Sequence, residues 1–474
     1  MNSLTHIFGS SAEGLSPQAA ARASNKNFVR SEGQLAVYDP SRDPTGHVLT
    51  AWEAFTAYGL GVLEEAADYG SAILRRTQES PGTVLKRRRE ALDLSAQSVA
   101  RAAKIALADL KSAESGESAV SLSTLERVAF VLGLDERLLA YNVHSGGDDK
   151  LAYRLKMLIG QGDNSPRLVS AGTALLFAEA ASIARVQLRL QDWLTIPMEK
   201  DYFEIHKNYG SPSNPAWSIG YRLAEDCRRA LGLGESPVPS MRELVEKRLG
   251  IPVIQARLRQ EIAGATVSTK NIDGEQVRGV ILNTVGANKN VWVRRATLAH
   301  ELGHLLYDAE ESLESVRVDS YVDSQKDPQR QGVDFVEQRA NAFAIAFLAP
   351  NDMVRDMTPS PISEESVYHV MRTFGISQTA ARYHVANSHY KQDSVPFLSF
   401  NLEPTDEQKA AEDFALDYFP ILSTPDQRRG RISSLVAVCY EQGLLSEETA
   451  SLYLRCTPDE FVSNLAPLRE LHNI

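Results

Sequence analysis

The stretch TLAHELGHLLYD at 297–308 constrains this chain more than any other. On an α-helix residues i and i+4 share one face, so His300 and His304 project side by side and can chelate one cation. Glu301 sits about a third of a turn round. That offset puts its carboxylate beside the metal, where it can take a proton from an activated water without being a ligand. Leu298, Leu302, Leu305 and Leu306 give the helix an apolar surface, and Gly303 removes a side chain near the ligands. The competing reading is an ordinary core helix with two hydrogen-bonded histidines, and a third ligand decides between them. A catalytic zinc site takes three protein ligands and keeps one position open. VEQRANAFAIAFLAP at 336–350 offers Glu337 on the next helical segment, with Asn341 on the same face to hydrogen-bond the ligand set. Glu311, Glu314, Asp319, Asp323 and Asp334 compete from an expected loop that lacks the small residues around Glu337.

The chain around this stretch is 474 residues long, too long for one ordinary core and suited to two to four domains. A net charge of −11 argues against chain-wide attraction to nucleic acid or anionic membrane and confines any polyanion site to a local patch. Cys227, Cys439 and Cys456 are odd in number and widely spaced, which fits a reducing compartment and neither a disulfide framework nor a cysteine metal site. The opening MNSLTHIFGSSAEGLSPQ has no basic start and no sustained apolar run, so the expected location is the cytoplasm, with no membrane partner.

Punctuation divides the chain into five expected segments. Residues 1–80 read as a loop-rich or partly disordered arm up to about 50, followed by a helix from Ala51 to about Thr77. Residues 81–142 read as a compact run of about five short helices bounded by Ser, Asp and Gly. In 143–210 two longer helices are expected, roughly 148–160 and 167–194, with small residues in AGTALLFAEAASIA that suit close packing as a linker or a homodimer contact. Residues 211–395 mix helices with β-branched runs at 251–255, 262–268 and 277–283, an α+β layout with one small sheet. The remainder, 396–474, is helical again. The fold class is therefore multidomain and mainly α: an all-α module, an α+β domain holding the H-E-x-x-H helix, and a helical C-terminal region.

AHELGHLLYD followed by E-x-x-AN-x-FA-x-x-FLAP resembles the ImmA/IrrE family of zinc metallopeptidases, and the likeness extends over roughly 180 residues from the helix at 217–231 to FGISQTAARYHV at 374–385. It implies Zn2+ as cofactor, His300, His304 and Glu337 as ligands, and Glu301 as general base of a gluzincin-like endopeptidase. His384, Tyr383 and His389 are candidates for oxyanion stabilisation, with a structural role as the competing reading of each. Upstream, LKRRREALDLSAQSVARAAKIALADLKSAESGE resembles an XRE-type helix-turn-helix, with Glu114 and Gly116 at its E-x-G positions. Lys86, Arg87, Arg88, Arg89, Lys104 and Lys111 are its candidate DNA or partner contacts. The expected recognition helix begins Ala106, Leu107, Ala108, Asp109, which offers little to base edges, and acids nearly cancel the basic charge of the module. DNA and a second helix-turn-helix protein both stay open as partners.

Together the two resemblances imply a regulatory peptidase that cleaves an XRE-type repressor or antitoxin and so derepresses stress, mobile-element or defence genes. The alternatives are a DNA-binding regulator whose zinc-site domain senses a ligand without proteolysis, and a toxin–antitoxin component. The substrate strand is expected to add to an edge strand near 279–284.

Overall fold

The computed structural model describes residues 3–41, 44, 46–74, 80–116, 120–138, 152–158, 170–197, 215–260, 262–270, 275–308, 317–321, 331–390, 394–412, 418–472 and 474. Among the described residues the chain is mostly helical with two small sheets. Among the described residues no helix is long and apolar enough to cross a membrane.

The first surprise is the N-terminal stretch. Where a loop-rich arm is expected, the chain forms α1 (Ser3–Phe8), α2 (Pro17–Ala23) and strands β1 (Asn27–Arg30), β2 (Gln34–Val37) and β3 (His47–Thr50). The expected long helix after Ala51 breaks at Gly59 (φ +78°) into α3 (Ala51–Tyr58) and α4 (Leu60–Tyr69), and β4 (Ser71–Ile73) completes a four-stranded sheet in the order β3-β1-β2-β4. The strands are only three or four residues long, too short for an alternating pattern to show in the sequence. Next come α5 (Pro81–Ala91), α6 (Ala96–Ala103), α7 (Leu107–Ser115) and α8 (Leu122–Val131), with Ser80, Ser95 and Ser121 each capping a helix N-terminus. Their apolar faces share a core of their own, built on Leu85, Val99, Leu110 and Val128.

A second correction concerns the linker. Residues 152–158 form a strand, β5 (Ala152–Leu158), where a helix is expected. The following helix α9 (Ala171–Trp193) is buried on nearly every face. Its small residues pack inside the chain, where Gly279 faces the Ala184 methyl and Gly133 lies against the Ala178 carbonyl. They are therefore not available as a dimer surface.

Helix α10 (Ala216–Ala230) and α11 (Met241–Glu243), which continues in π geometry through Leu244–Arg248, lead into β6 (Val253–Ala256), β7 (Ile262–Lys270) and β8 (Gln276–Asn283). Then come α12 (Val291–Tyr307), β9 (Arg317–Tyr321), α13 (Gln331–Leu348), α14 (Asn351–Met357), α15 (Glu364–Phe374) and α16 (Gln378–Ser388). The second sheet runs β6-β8-β7-β5-β9, with β6–β8 and β5–β9 parallel and the two central pairings antiparallel. Alternation decides which layer each strand residue joins. Ile254, Ala265, Val267 and Ile281 belong to the core containing α9, whereas Val253, Val280 and Leu282 belong to the core containing α12 and α13. The sheet therefore lies between two helical layers, and the H-E-x-x-H helix lies against the face opposite α9.

The C-terminal helices are α17 (Asp406–Ala411), α18 (Ile432–Glu441), α19 (Glu447–Leu454), α20 (Pro458–Ser463) and α21 (Leu465–Glu470). The last four, α18 to α21, return to the N-terminal sheet and α9, and all three share one core that includes Phe28, Trp52, Phe177, Leu435 and Tyr453.

Candidate metal centre

Helix α12 starts at Asn290, whose side chain accepts from the Trp292 N–H, and it carries His300, Glu301 and His304 on the face turned into the protein. All three are buried, at 0%, 1% and 1% exposure. Helix α13 brings Glu337, also buried, onto the same point. The two imidazole Nε2 atoms stand 2.9 Å apart. Glu337 Oε2 lies 3.3 Å from His300 Nε2, and Oε1 lies 3.1 Å from His304 Nε2. Ligands about 2.0–2.1 Å from a tetrahedral ion stand roughly 3.3 Å from one another, so this spacing and this His2Glu donor set fit zinc. Burial alone would raise the Glu337 pKa; the imidazoles of His300 and His304 outweigh it and hold the carboxyl well below the usual carboxylate range.

Glycines permit the close approach. A Cβ on Gly303 would come within 2.8 Å of the Phe343 ring, so this glycine lets α13 lie against α12, and its expected part in clearing the ligands is instead a part in helix packing. A Cβ on Gly264 of β7 would stand 3.1 Å from Glu301 Oε1 and 2.9 Å from the Thr297 methyl. The backbone of β7 thus runs beside the Glu301 carboxylate. Thr297 donates its hydroxyl proton to Asn288, whose amide donates to the carbonyls of Ala263 and Asn283, tying the helix to the two strands beneath it.

The sequence reading missed Asp308. Its carboxylate lies 3.0 Å from His304 Nδ1 and pairs with Arg339 on α13. Taking the Nδ1 proton fixes the tautomer in which the Nε2 lone pair points at the shared centre. The signal was present as a second i,i+4 step, H-x-x-x-D, within TLAHELGHLLYD. Asn341, expected in that supporting role, sits one turn beyond Glu337 and is half-buried. Among the competing carboxylates, Asp319 falls on a strand and Asp334 in α13, where a loop is expected, and both side chains lie outside the described residues, as do Glu311, Glu314 and Asp323.

His384 is corrected from a possible oxyanion group to a structural one. Its Nε2 lies 2.7 Å from the Ala349 carbonyl and its Nδ1 2.8 Å from the Tyr221 hydroxyl, so both nitrogens are engaged, and burial lowers its pKa to about 4. Tyr383 is 72% exposed, whereas His300, His304 and Glu337 are buried. His389 bonds the Thr358 hydroxyl at 2.9 Å. The expected substrate strand beside 279–284 also fails: that segment is β8, flanked on both sides by β6 and β7.

The basic cluster of the helical module divides. Arg88 is buried and donates to the Leu132 carbonyl, and Arg89 forms a bidentate pair with Glu114 at 2.6 and 2.8 Å. Both are engaged in holding the module together. Lys86, Arg87, Lys104 and Lys111 are exposed.

Comparison with known families places this geometry. No curated protein and no solved structure was found to match the chain. Residues 247–385 match the Peptidase M78 family model, described as the IrrE N-terminal-like domain. That span contains the strands β6 to β8, all three converging ligand residues, Glu301 and Asp308; over it the chain is similar to a metallopeptidase of the ImmA/IrrE kind.

Proposed function

We propose that the chain is a zinc-dependent regulatory endopeptidase whose substrate is a partner XRE-type repressor or antitoxin, cleavage of which derepresses stress, mobile-element or defence genes. The observation that carries the chemistry is the convergence of His300, His304 and Glu337 with an intact, buried Glu301 on the next helical position. His300, His304 and Glu337 would hold a zinc ion, which would supply Lewis acidity toward the scissile carbonyl and the attacking water. Glu301 is placed to take that water's proton and pass it to the leaving amine. Asp308, backed by Arg339, holds His304 in orientation. Among the described residues the strand at the free end of the sheet next to α13 is β9, and an extended substrate adds there in preference to β8.

The regulatory part of the reading rests on α5–α8, whose four short helices, three of them serine-capped, Arg89–Glu114 pair and left-handed Gly116 support an XRE-like module. Lys86, Arg87, Lys104 and Lys111 are its exposed candidates for a DNA or partner contact. The rival reading, a regulator that senses a ligand at the zinc domain without proteolysis, gives Glu301 no task. Glu301→Gln separates the two, because an amide cannot accept the proton. Metal content and fold should be retained while partner cleavage and the transcriptional response are lost; a full response in cells carrying only this variant refutes the peptidase reading.

A further inference from the structure

A cavity lies away from the metal centre, where three parts of the chain meet. It has a volume of about 710 Å³ and is lined by β3 and the residue before it, the α6–α7 turn, α8, and the helices α19 and α20. None of its lining residues belongs to the metal site or its supports, so a role for this cavity stands independently of the peptidase reading.

Its chemistry is divided. Ala103, Leu122, Phe130 and Leu452 give an apolar wall. The acids that line it are already engaged. Glu126 takes His47 Nδ1 at 2.9 Å, Glu448 accepts the Val48 N–H at 2.8 Å, and Glu460 accepts from the Thr457 N–H and the Ser423 hydroxyl. Arg455 is held by the Ala102 carbonyl and Glu179. Two exposed cations remain at the rim: the side chains of Lys104 and Arg127 hydrogen-bond nothing among the described residues, although Lys104 lies within electrostatic reach of Glu179 and Glu460. Lys104 also sits at φ +56°, the left-handed position that glycine would occupy without strain. A lysine there keeps an ammonium at the cavity mouth.

We infer that this cavity binds a small organic anion, with a phosphate or carboxylate head on Lys104 and Arg127 and an apolar body against Leu122, Phe130 and Leu452. The occupant touches the N-terminal sheet, the helical module and the C-terminal helices together. Binding therefore favours the arrangement in which all three are docked, and it offers a way to change the exposure of the module without touching the metal centre.

The test uses the full chain and three probes in calorimetric titration: AMP for a phosphate head, octanoate for a carboxylate head, and inorganic phosphate for a head with no body. The variants are Arg127→Ala and Lys104→Gly, with Lys86→Ala as an exposed cation outside the cavity. Lys104→Gly removes the charge while relieving the backbone, so it should keep or raise the melting temperature as it loses ligand. The expected result is that AMP or octanoate binds more tightly than about 1 mM, that both cavity variants weaken it about tenfold, and that Lys86→Ala does not. AMP and octanoate binding separately identify the head group. Absence of binding by both, inorganic phosphate binding as tightly as either, or affinity unchanged in the two cavity variants overturns the assignment.

Discussion

At the scale of single residues, the hydrogen bond behind His304 carries as much information as the ligands. Asp308 is buried, it takes the Nδ1 side of the imidazole, and Arg339 neutralises its charge. Asp308→Asn keeps the shape but can present its amide N–H where an acceptor is needed, so the imidazole tautomer is no longer fixed. Zinc affinity should fall by about 10–100-fold, as measured against a competing chelator. Unchanged affinity would mean that Asp308 serves only to hold Arg339. Gly264 offers a complementary probe on the other side of the centre. Gly264→Ala brings a methyl against Glu301 Oε1 without touching a ligand, so zinc content should persist while peptidase turnover drops. Loss of both together would show instead that the strand and helix had separated.

Elements explain which expectations held and which failed. The α12 and α13 helices were legible because each is long enough to show its period, α12 through His300 and His304 and α13 through Glu337, Asn341 and Ala344, and strands at 253–256, 262–270 and 276–283 follow the β-branched runs. The strands of residues 27–73 were not, because three or four residues are too few to show alternation, and the strand at 152–158 was not, because its pairing is set by β7 and β9 far away in sequence. The structural partners of His384 could not be read from its neighbours in sequence, since Tyr221 lies in α10 and Ala349 just after α13. A long-range partner likewise holds α12 in place. Arg295 meets Glu412 at 2.7 Å, and Glu412 also accepts the N–H groups of Met241 and Arg242, so the segment after α17 clamps the metal helix to α11. Both charges are buried. Removing one leaves the other uncompensated, and Glu412→Ala should destabilise by about 3–5 kcal/mol in denaturant unfolding. A cost below about 1 kcal/mol would show that the clamp contributes little beyond local order.

For the whole molecule, the polar contacts that join distant segments concentrate around His47. Its ring bridges Glu126 of α8 and Thr449 of α19, while the neighbouring Arg30 donates to the Glu136 carbonyl and Glu53 accepts the Ser446 N–H. The N-terminal sheet, helical module and C-terminal helices thus meet at one titratable group that is 9% exposed. Burial works to lower the His47 pKa, but Glu126 beside it, with Glu53 and Glu448 further off, outweighs burial and raises it to about 9. A histidine whose folded pKa exceeds its unfolded value near 6.5 stabilises the fold fully below 6.5, and this contribution is lost as pH rises through 9. The shift corresponds to at most about 3 kcal/mol. Stability measured by urea unfolding should therefore decline from pH 6.5 to 9, and His47→Gln should remove most of that slope while lowering stability chiefly at the acid end. Because the metal centre is built from other residues, zinc affinity at a fixed pH should not change in the variant. If wild type and His47→Gln show parallel stability profiles across this window, the junction is not held by a charged His47, and the Glu126 carboxylate must be balanced by Arg30 alone.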